Sequence, residues 1–199
     1  MNQALRRELI ERIQPIDEIY PGELKVIAVG RLEPQKDYVT LLEAFAIVRR
    51  ATPCRLIILG EGSEREKLER LAEELGISGS VDMKGYVQFP IKYVRQCNVF
   101  VLTSRWEGFG NVLVEALATG IQVVSTDCPH GPREILGGGK FGKLIPTADK
   151  EAVALEVLQA LGSTRTTADM EELAMHLGQF NAERIAEQYL LAIAPEVPR

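Results

Sequence analysis

Cysteine, basic charge and long apolar runs are all scarce in this sequence, and each scarcity argues against a class of protein. The three cysteines, Cys54, Cys97 and Cys128, are too few and too far apart for a disulfide framework or a zinc site, so a reducing cytosol is the expected setting. No apolar run reaches the ~20 residues that span a bilayer, and acidic residues interrupt the amino-terminal segment, unlike a signal peptide. Acidic residues outnumber basic ones by 28 to 23, which argues against binding of nucleic acid or of an anionic membrane surface.

The composition is that of one ordinary globular domain. The 199 residues are 46% apolar and 26% charged. A chain of this length buries roughly 70% of the surface that its unfolded form exposes, so it can hold a core without disulfides or a structural metal. A second full-sized domain does not fit.

Short apolar runs alternate with amphipathic stretches, which predicts an α/β fold with a doubly wound, Rossmann-like parallel sheet of about six strands. Ser63 and Glu66 have the spacing of a capping box at the start of one helix, and Gly76 is expected to end that helix. The predicted strands are residues 24–29, 55–59, 81–84, 99–102, 122–125 and 142–145. The predicted helices are residues 38–50, 63–75, 111–118 and 152–161, with two more in 167–193.

The sequence divides into three expected segments. Residues 1–22 form a helical lead-in, with Leu5, Leu9 and Ile13 along one stripe and no strand before it. Residues 23–163 form the sheet domain, and residues 164–199 form the carboxyl-terminal helices.

The first predicted strand leads into Gly30, Arg31 and Lys36, which together suit a phosphate group. A glycine at the carboxyl edge of a parallel sheet lets the backbone approach a ligand. Arginine offers a planar fork of donors, and lysine offers a mobile point charge. Both cations could equally be solvated surface charges, and the spacing alone does not separate these interpretations.

Two familiar phosphate-binding loops do not fit the sequence. A Walker A loop has glycine immediately before its lysine, where this chain has Gln35. Gly60 and Gly62 begin a dinucleotide fingerprint, but Arg65 occupies the position of its third glycine. A tight turn leading into a helix explains those two glycines.

A glycine-rich stretch follows the fourth predicted strand and opens a helix. Gly108, Phe109 and Gly110 are expected to leave backbone amides free beside Asn111, at the positive end of that helix. Such amides suit an anion or a hydroxyl-rich ligand.

Two glutamates, Glu107 and Glu115, flank this stretch and are expected to face the crevice at the edge of the sheet. Carboxylates accept hydrogen bonds from sugar hydroxyls. A solvated helix face would explain the same pair. Glu115 is, however, the only charge in a helix that looks buried, and an unpaired buried carboxylate is costly, so a partner is expected for it.

The loop after the fifth predicted strand contains Cys128 and His130. His130 could act as a general base, but the sequence shows no Asp or Ser partner for it, and a solvated or orienting histidine is the simpler interpretation. Cys128 is expected to be a small packing residue.

Four runs of sequence together resemble the carboxyl-terminal, donor-binding lobe of the GT-B glycosyltransferases of family four. The resemblance covers roughly residues 24–160, and its specificity comes from several motifs in the right order and spacing. The runs are GRLEPQKDYVTLLEAF, ILGEGSEREKLERLAEELGI, SRWEGFGNVLVEALATG and STDCPHGPREIL.

The resemblance implies a retaining transferase that moves a hexose or an N-acetylhexosamine from a nucleotide sugar, with UDP as the expected nucleotide, in polysaccharide or lipid-linked glycan synthesis. Arg31 and Lys36 would hold the diphosphate and stabilise charge on the leaving group. Glu107 would lie beside the donor sugar, and Glu115 would accept hydrogen bonds from the ribose. The backbone at Gly30 and at 108–111 would meet phosphate and sugar hydroxyls. No metal or other cofactor is implied, and the sequence has no Asp-x-Asp pair.

A complete enzyme of this family has a second, acceptor-binding lobe, which this chain is expected to lack. The isolated chain is therefore expected to be inactive, with residues 1–22 and 164–199 as the segments that meet the partner lobe and any membrane contact confined to the parent enzyme. Two alternatives are a noncatalytic module that binds a nucleotide sugar and a nicotinamide oxidoreductase. Arg65 disfavours the oxidoreductase.

Overall fold

A six-stranded sheet forms the centre of the structure, a computed structural model that describes residues 17–180. Every neighbouring pair of strands is parallel, and the strand order is β3-β2-β1-β4-β5-β6. This order makes the sheet doubly wound, and the sequence predicts a doubly wound parallel sheet of about six strands. The strands are β1 (Leu24–Val29), β2 (Cys54–Leu59), β3 (Val81–Gly85), β4 (Val99–Leu102), β5 (Gln122–Thr126) and β6 (Lys143–Ile145).

Helices lie on both faces of the sheet, because the central strands are apolar on both sides. Val26 and Ala28 of β1 belong to one core, whereas Ile27, between them, belongs to the other. The helices are α1 (Tyr38–Ala51), α2 (Arg65–Glu74), α3 (Ile91–Val94), α4 (Asn111–Leu117), α5 (Pro132–Ile135), α6 (Lys150–Leu161) and α7 (Thr167–Leu177). Single 3₁₀ turns occupy Pro34–Lys36, Ser78–Ser80, Gly137–Gly139 and Gly178–Phe180.

Each core takes its side chains from a different set of helices. The first core contains Leu42 and Phe45 of α1, together with apolar residues of α2 and α6. The second contains Leu113 of α4 and Leu173 of α7, together with apolar residues of α5. The apolar stripe predicted in α1 therefore faces the sheet, as expected.

The capping box predicted at the start of α2 is wrong, although the predicted end of that helix is confirmed. The Ser63 hydroxyl lies 2.9 Å from Oε2 of Glu33, and the Ser63 amide donates to the other oxygen of the same carboxylate. Ser63 is thus bound to the loop after β1, and α2 begins at Arg65. At the other end, Gly76 has φ +69°, and the Ile77 amide closes the helix on a carbonyl one turn back.

The predicted lead-in helix is not present where the structure describes it, and its residues 1–16 lie outside the described range. Residues 17–22 are irregular, with left-handed φ values at Tyr20 and Gly22 around Pro21. The ammonium of Lys25 donates to the carbonyls of Ile19 (3.0 Å) and Tyr20 (3.1 Å), and this holds the segment against the amino end of β1. The buried Lys25 ammonium thus donates to carbonyls that backbone amides would pair with in a helix.

The carboxyl-terminal segment begins with the first of the two predicted helices, α7. Thr166 and Asp169 form a reciprocal capping box at its start, and Leu173 is buried in the second core. The second predicted helix lies largely outside the described residues. Between residues 17 and 180, no helix is both long enough and apolar enough to cross a membrane.

Candidate functional site

The strand order reverses between β1 and β4, and the loops that follow these two strands meet at the carboxyl edge of the sheet. In doubly wound sheets this position opens a crevice in which ligands bind. Val29, Lys36, Tyr38 and Thr103 line a crevice at this point that is too narrow to admit a water molecule, so a ligand would lie over its mouth rather than inside it. Lys36, one of the predicted phosphate ligands, therefore lies where the topology places a site.

The centre of the crevice is a buried ion pair between Lys36 and Glu107. Their Nζ and Oε1 atoms are 2.5 Å apart, and the side chains are only 13% and 7% exposed. The Ser104 hydroxyl lies 2.6 Å from the same carboxylate oxygen and donates to it. Water screens a buried pair much less than an exposed one, so the pair presents a fixed dipole, with the ammonium at one end and the carboxylate at the other, to a group bound beside it.

Gly30 allows the Lys36 side chain to pass close to the end of β1. A Cβ atom at position 30 would lie 3.2 Å from both Lys36 Cε and Tyr38 Oη. The Tyr38 hydroxyl donates to the Gly30 carbonyl at 3.1 Å. Burial and the nearby charge of Glu107 raise the pKa of Tyr38 far above its ordinary value, so this donor keeps its proton.

Arg31 is placed differently from Lys36. Its side chain is exposed to solvent, and it forms no ion pair with another residue in the described part of the chain. The structure therefore brings Lys36 and Glu107 into direct contact and leaves Arg31 at the rim, one residue beyond Gly30.

Hydrogen bonds to backbone carbonyls join the two loops that carry Lys36 and Glu107. The Arg105 amide donates to the Gln35 carbonyl at 2.8 Å, and the Gln35 side-chain amide donates to the Trp106 carbonyl at 2.7 Å. The Thr103 hydroxyl donates to the Lys36 carbonyl at 2.9 Å. These contacts fix the position of the ion pair. Its charged groups therefore need no reorganisation when a ligand binds.

The glycine-rich stretch after β4 leads into a helix, as predicted, and its backbone amides have no carbonyl partner among the described residues. Gly110 has φ +89° and precedes the first residue of α4, Asn111. Between residues 17 and 180, no backbone carbonyl accepts from the amides of Gly108, Phe109 or Gly110. The half-buried Phe109 ring packs edge-on against Phe180, with 5.7 Å between the ring centroids.

Glu115 is exposed, and the prediction that it is a buried carboxylate with a partner is wrong. The apolar face of α4 buries Leu113, Ala116 and Leu117, and position 115 points away from that face. Partial desolvation raises the pKa of Glu115, and no charged neighbour contributes to that shift. The carboxylate therefore has hydrogen-bonding capacity that the described residues leave unused.

The end of β5 and the loop after it contact the loop after β4 at the carboxyl edge of the sheet. The Glu107 amide donates to the Pro129 carbonyl at 3.2 Å, and the Thr126 hydroxyl donates to the Ser104 carbonyl at 2.6 Å. At Gly131, a Cβ would lie 1.7 Å from the Phe109 carbonyl oxygen, so only glycine permits this approach.

Neither residue considered for chemistry in the β5 loop is poised for it. His130 is exposed and has φ +64°, and its side chain accepts from or donates to nothing else between residues 17 and 180. Cys128 is buried, as expected of a packing residue, and burial raises the pKa of its thiol.

The partial dinucleotide fingerprint has a packing explanation. Gly60 has φ +147°, and a Cβ there would lie 1.9 Å from the Gly30 carbonyl oxygen. A Cβ at Gly62 would lie 2.4 Å from the Leu32 carbonyl oxygen. Arg65, at the position of the missing third glycine, donates to the Met83 carbonyl at 2.8 Å. The glycines therefore let the β2 loop pack against the β1 loop.

A comparison with known protein families agrees with this architecture. The family model described as Glycosyl transferases group 1 matches residues 10–177. The chain belongs to this family.

Two curated glycosyltransferases illustrate the relatives of this chain. LpsE of Rhizobium meliloti, a lipopolysaccharide core biosynthesis glycosyltransferase, is 36% identical over 171 residues, which cover 85% of this chain and 49% of LpsE. The N-acetylgalactosamine-N,N'-diacetylbacillosaminyl-diphospho-undecaprenol 4-alpha-N-acetylgalactosaminyltransferase of Campylobacter jejuni is 38% identical over 138 residues, or 69% of this chain and 37% of that enzyme. This chain thus spans less than half the length of these relatives.

Solved structures share the GT-B glycosyltransferase fold with this chain. The HepE protein of Anabaena, crystallised with UDP and glucose, superposes with a TM-score of 0.77 at 23% identity, over 96% of this chain and 51% of HepE. TarM of Staphylococcus aureus, in a complex that includes UDP, gives 0.74 at 23% identity, over 96% of this chain and 42% of TarM.

Several site residues of this group 1 glycosyltransferase were not predicted from its sequence. Ser104 and Tyr38 act through hydrogen bonds to Glu107 and Gly30, and Gln35 and Thr103 join the two loops. The only available signal was that these polar residues lie within about four positions of predicted site residues in the sequence. Their partners, in contrast, depend on which strands become neighbours.

Proposed function

We propose that this chain is the donor-binding lobe of a retaining glycosyltransferase that takes a hexose or an N-acetylhexosamine from a UDP-sugar. The buried Lys36–Glu107 pair at the strand reversal is the observation that carries this proposal. A fixed ammonium beside a carboxylate, at a crevice edged by free backbone amides, matches a ligand that joins a pyrophosphate to a sugar.

The diphosphate would be held by Lys36 from within the crevice and by Arg31 from the rim. Hydrogen bonds to charged groups contribute roughly 1.5 to 3 kcal/mol each. When the bond from the sugar to the diphosphate breaks, negative charge grows on the leaving oxygen, and an ammonium already in place stabilises that charge. Arg31 has no competing partner among the described residues, so its guanidinium is available to a phosphate.

Glu107 would contact the donor sugar, and Glu115 would contact the nucleoside. Glu107 is fixed by Lys36 and Ser104, so its carboxylate can hold a donor sugar in one orientation. The exposed Glu115 would accept hydrogen bonds from ribose hydroxyls. The amides of 108–110 would donate to phosphate or sugar oxygens.

The preference for UDP and the role in glycan synthesis draw on the relatives. Their names include lipopolysaccharide core and diphospho-undecaprenol glycosyltransferases, and two of the similar folds were crystallised with UDP.

We propose that Lys36 and Arg31 supply the positive charge that a metal supplies in other transferases. The described residues contain no group of three or more His, Cys, Asp or Glu side chains placed to hold a metal ion. The acceptor-binding lobe would lie outside this chain, which would then bind donor but transfer little sugar by itself.

Calorimetric titration of the purified chain with UDP, GDP, ADP and NAD tests this proposal. We expect UDP to bind most tightly of the four, and a UDP-sugar to compete with it. Tighter binding of NAD would favour an oxidoreductase. Absence of heat with all four ligands, from a chain that circular dichroism shows to be folded, would remove the basis for a nucleotide site.

A further inference from the structure

The glycine-rich loop at residues 108–110 has few contacts of its own that hold it in one conformation. Between residues 17 and 180, no backbone carbonyl accepts from its three amides, and two of its three residues are glycines, which adopt many backbone conformations. A Cβ atom at Gly108 would meet nothing within 4 Å. Gly131 lies against the Phe109 carbonyl oxygen without donating to it. The Phe109 ring is thus the side chain that can anchor this loop.

A row of four aromatic rings connects this loop to the core. The Phe109 ring packs edge-on against Phe180, with 5.7 Å between the ring centroids, and Phe180 packs edge-on against His176 at 5.3 Å. The His176 ring stacks in turn on the buried Phe141 at 4.4 Å. Edge-on and stacked pairs at such separations are favourable. Phe180, in the 3₁₀ turn after α7, therefore lies between the loop and the rest of the row.

The helix α7 holds the middle of this row in place. Nε2 of His176 donates to the Ile135 carbonyl at 2.8 Å, and Leu173, one turn earlier on the helix, is buried in the second core. Ile135 also borders the loop, because a Cβ atom at Gly110 would lie 3.7 Å from its side chain. The carboxyl-terminal segment thus supports the loop directly through Phe180 and indirectly through Ile135.

We propose that Phe180 is a positioning residue of the donor site. Its contact with Phe109 would hold the backbone of 108–110 so that the free amides point at phosphate or sugar oxygens of the donor. This proposal rests on the proposed function, in which those amides bind the donor. Phe180 would act through Phe109 without touching the ligand, because a loop that is already in place loses less conformational entropy on binding.

Calorimetric titration of Phe180→Ala with UDP, UDP-glucose and uridine tests this proposal. We expect the affinity for the ligand that meets the amides to fall about fivefold, the scale of one aromatic pair. Uridine has neither a phosphate nor a donor sugar and should bind as it does to wild type. A loss for UDP would assign the amides to the phosphates, and a loss for UDP-glucose alone would assign them to the sugar. Either loss supports the positioning role.

A double-mutant cycle separates this role from a general loss of structure. Phe109→Ala and Phe180→Ala remove the same contact, so the double variant should lose no more donor affinity than either single variant. Phe180→Tyr keeps the ring and should retain the wild-type affinity. If Phe180→Ala does not fold, Phe180→Leu, which keeps an apolar contact without the ring, is compared with Phe180→Tyr in the same way.

Two further variants serve as controls. Met175→Ala removes an exposed side chain of α7 and should change neither the free energy of unfolding nor the donor affinity. Val157→Ala shortens a buried side chain of α6 in the first core, on the other face of the sheet. It should lower the free energy of unfolding and leave the donor affinity unchanged.

The outcomes distinguish this proposal from the proposed function. If Phe180→Ala binds UDP and UDP-glucose as tightly as wild type does, the positioning role is refuted while the donor site stands. Equal losses for uridine and UDP, or additive losses in the double variant, also refute the role. Failure of the wild-type chain to bind UDP or UDP-glucose refutes the donor site, and with it the basis of this proposal.

Discussion

Lys36 and Glu107 form an ion pair that a folded protein would not need for stability. Removing two charges from water is expensive, and an apolar pair of the same volume often stabilises a protein as well or better. Here the pair lies at a strand reversal, where a ligand can use its charges. The presence of the Lys36–Glu107 pair is thus better explained by ligand binding than by the stability of the fold.

Glu107→Gln tests how strongly the two charges depend on each other. The amide keeps a hydrogen bond with Ser104 but leaves the Lys36 charge unpaired, so we expect a loss of roughly 3 kcal/mol in the free energy of unfolding. Glu172→Gln removes the carboxylate of the exposed pair with Lys140 and should cost less than about 1 kcal/mol. Urea titration measures both losses. Equal losses would mean that the buried pair contributes no more to the free energy of unfolding than the exposed pair does.

We expect the charged Glu115 carboxylate to lower the free energy of unfolding and to contribute to UDP binding. Its effect on stability should therefore depend on pH. Desolvation raises the pKa of Glu115 in the folded chain. A carboxyl group with a raised pKa favours the fold while protonated, and this contribution is lost as the pH rises through the folded-state value. Glu115→Gln should therefore make the chain slightly more stable at neutral pH, equally stable in acid, and weaker in UDP binding.

Thermal unfolding at several pH values, with UDP titration at neutral pH, checks this prediction. Glu171→Gln on α7, an exposed carboxylate away from the edge, is the control and should change neither quantity. A Glu115→Gln chain that is less stable at neutral pH, or that binds UDP as tightly as wild type, would contradict the role given to this carboxylate.

The secondary structure was largely predictable, because it depends on local patterns. Doubly buried strands such as β1 and β4 read as continuous apolar runs, and their predicted bounds match the structure. The start of α2 was not predictable, because Ser63 binds Glu33, thirty residues earlier in the chain. Local capping rules fail where a tertiary partner competes for the same hydroxyl.

The loops at the carboxyl edge depend on glycines that permit backbone contact. Gly60→Ala would place a Cβ 1.9 Å from the Gly30 carbonyl oxygen at a φ that disfavours alanine. We expect a loss of roughly 2 to 4 kcal/mol in unfolding free energy, with weaker UDP binding because the β1 loop moves. Gly79→Ala, where the added Cβ meets nothing within 4 Å, should cost less than about 1 kcal/mol. The same cost at both positions would show that the loop contact is unimportant.

The assembly of the site was only partly predictable from sequence. Gly30, Lys36, Glu107 and the amides of 108–110 could be found because they follow predicted strands at one edge. The pairing of Lys36 with Glu107 joins residues 71 positions apart and required the neighbouring placement of β1 and β4. The exposure of Glu115 was missed because the sequence of α4 looked apolar on every side.

The described residues form a six-stranded sheet with a core on each face, although the chain spans less than half the length of the two curated relatives described above. Because β1 contributes to both cores, we expect them to unfold together. Urea unfolding followed by Trp106 fluorescence and by far-ultraviolet circular dichroism should give coincident single transitions. Two separate transitions would mean that the cores are independent units.

Binding of a pyrophosphate by Lys36 is tested most directly by calorimetric comparison of UDP with uridine, in wild type and in Lys36→Ala. The wild-type chain is predicted to bind UDP at least about tenfold more tightly than uridine, because a hydrogen bond to a charged group contributes roughly 1.5 to 3 kcal/mol. Lys36→Ala should lose most of that difference and leave uridine binding unchanged. Equal losses for both ligands, or a folded wild-type chain that does not distinguish UDP from uridine, would contradict the assignment of this crevice to the diphosphate.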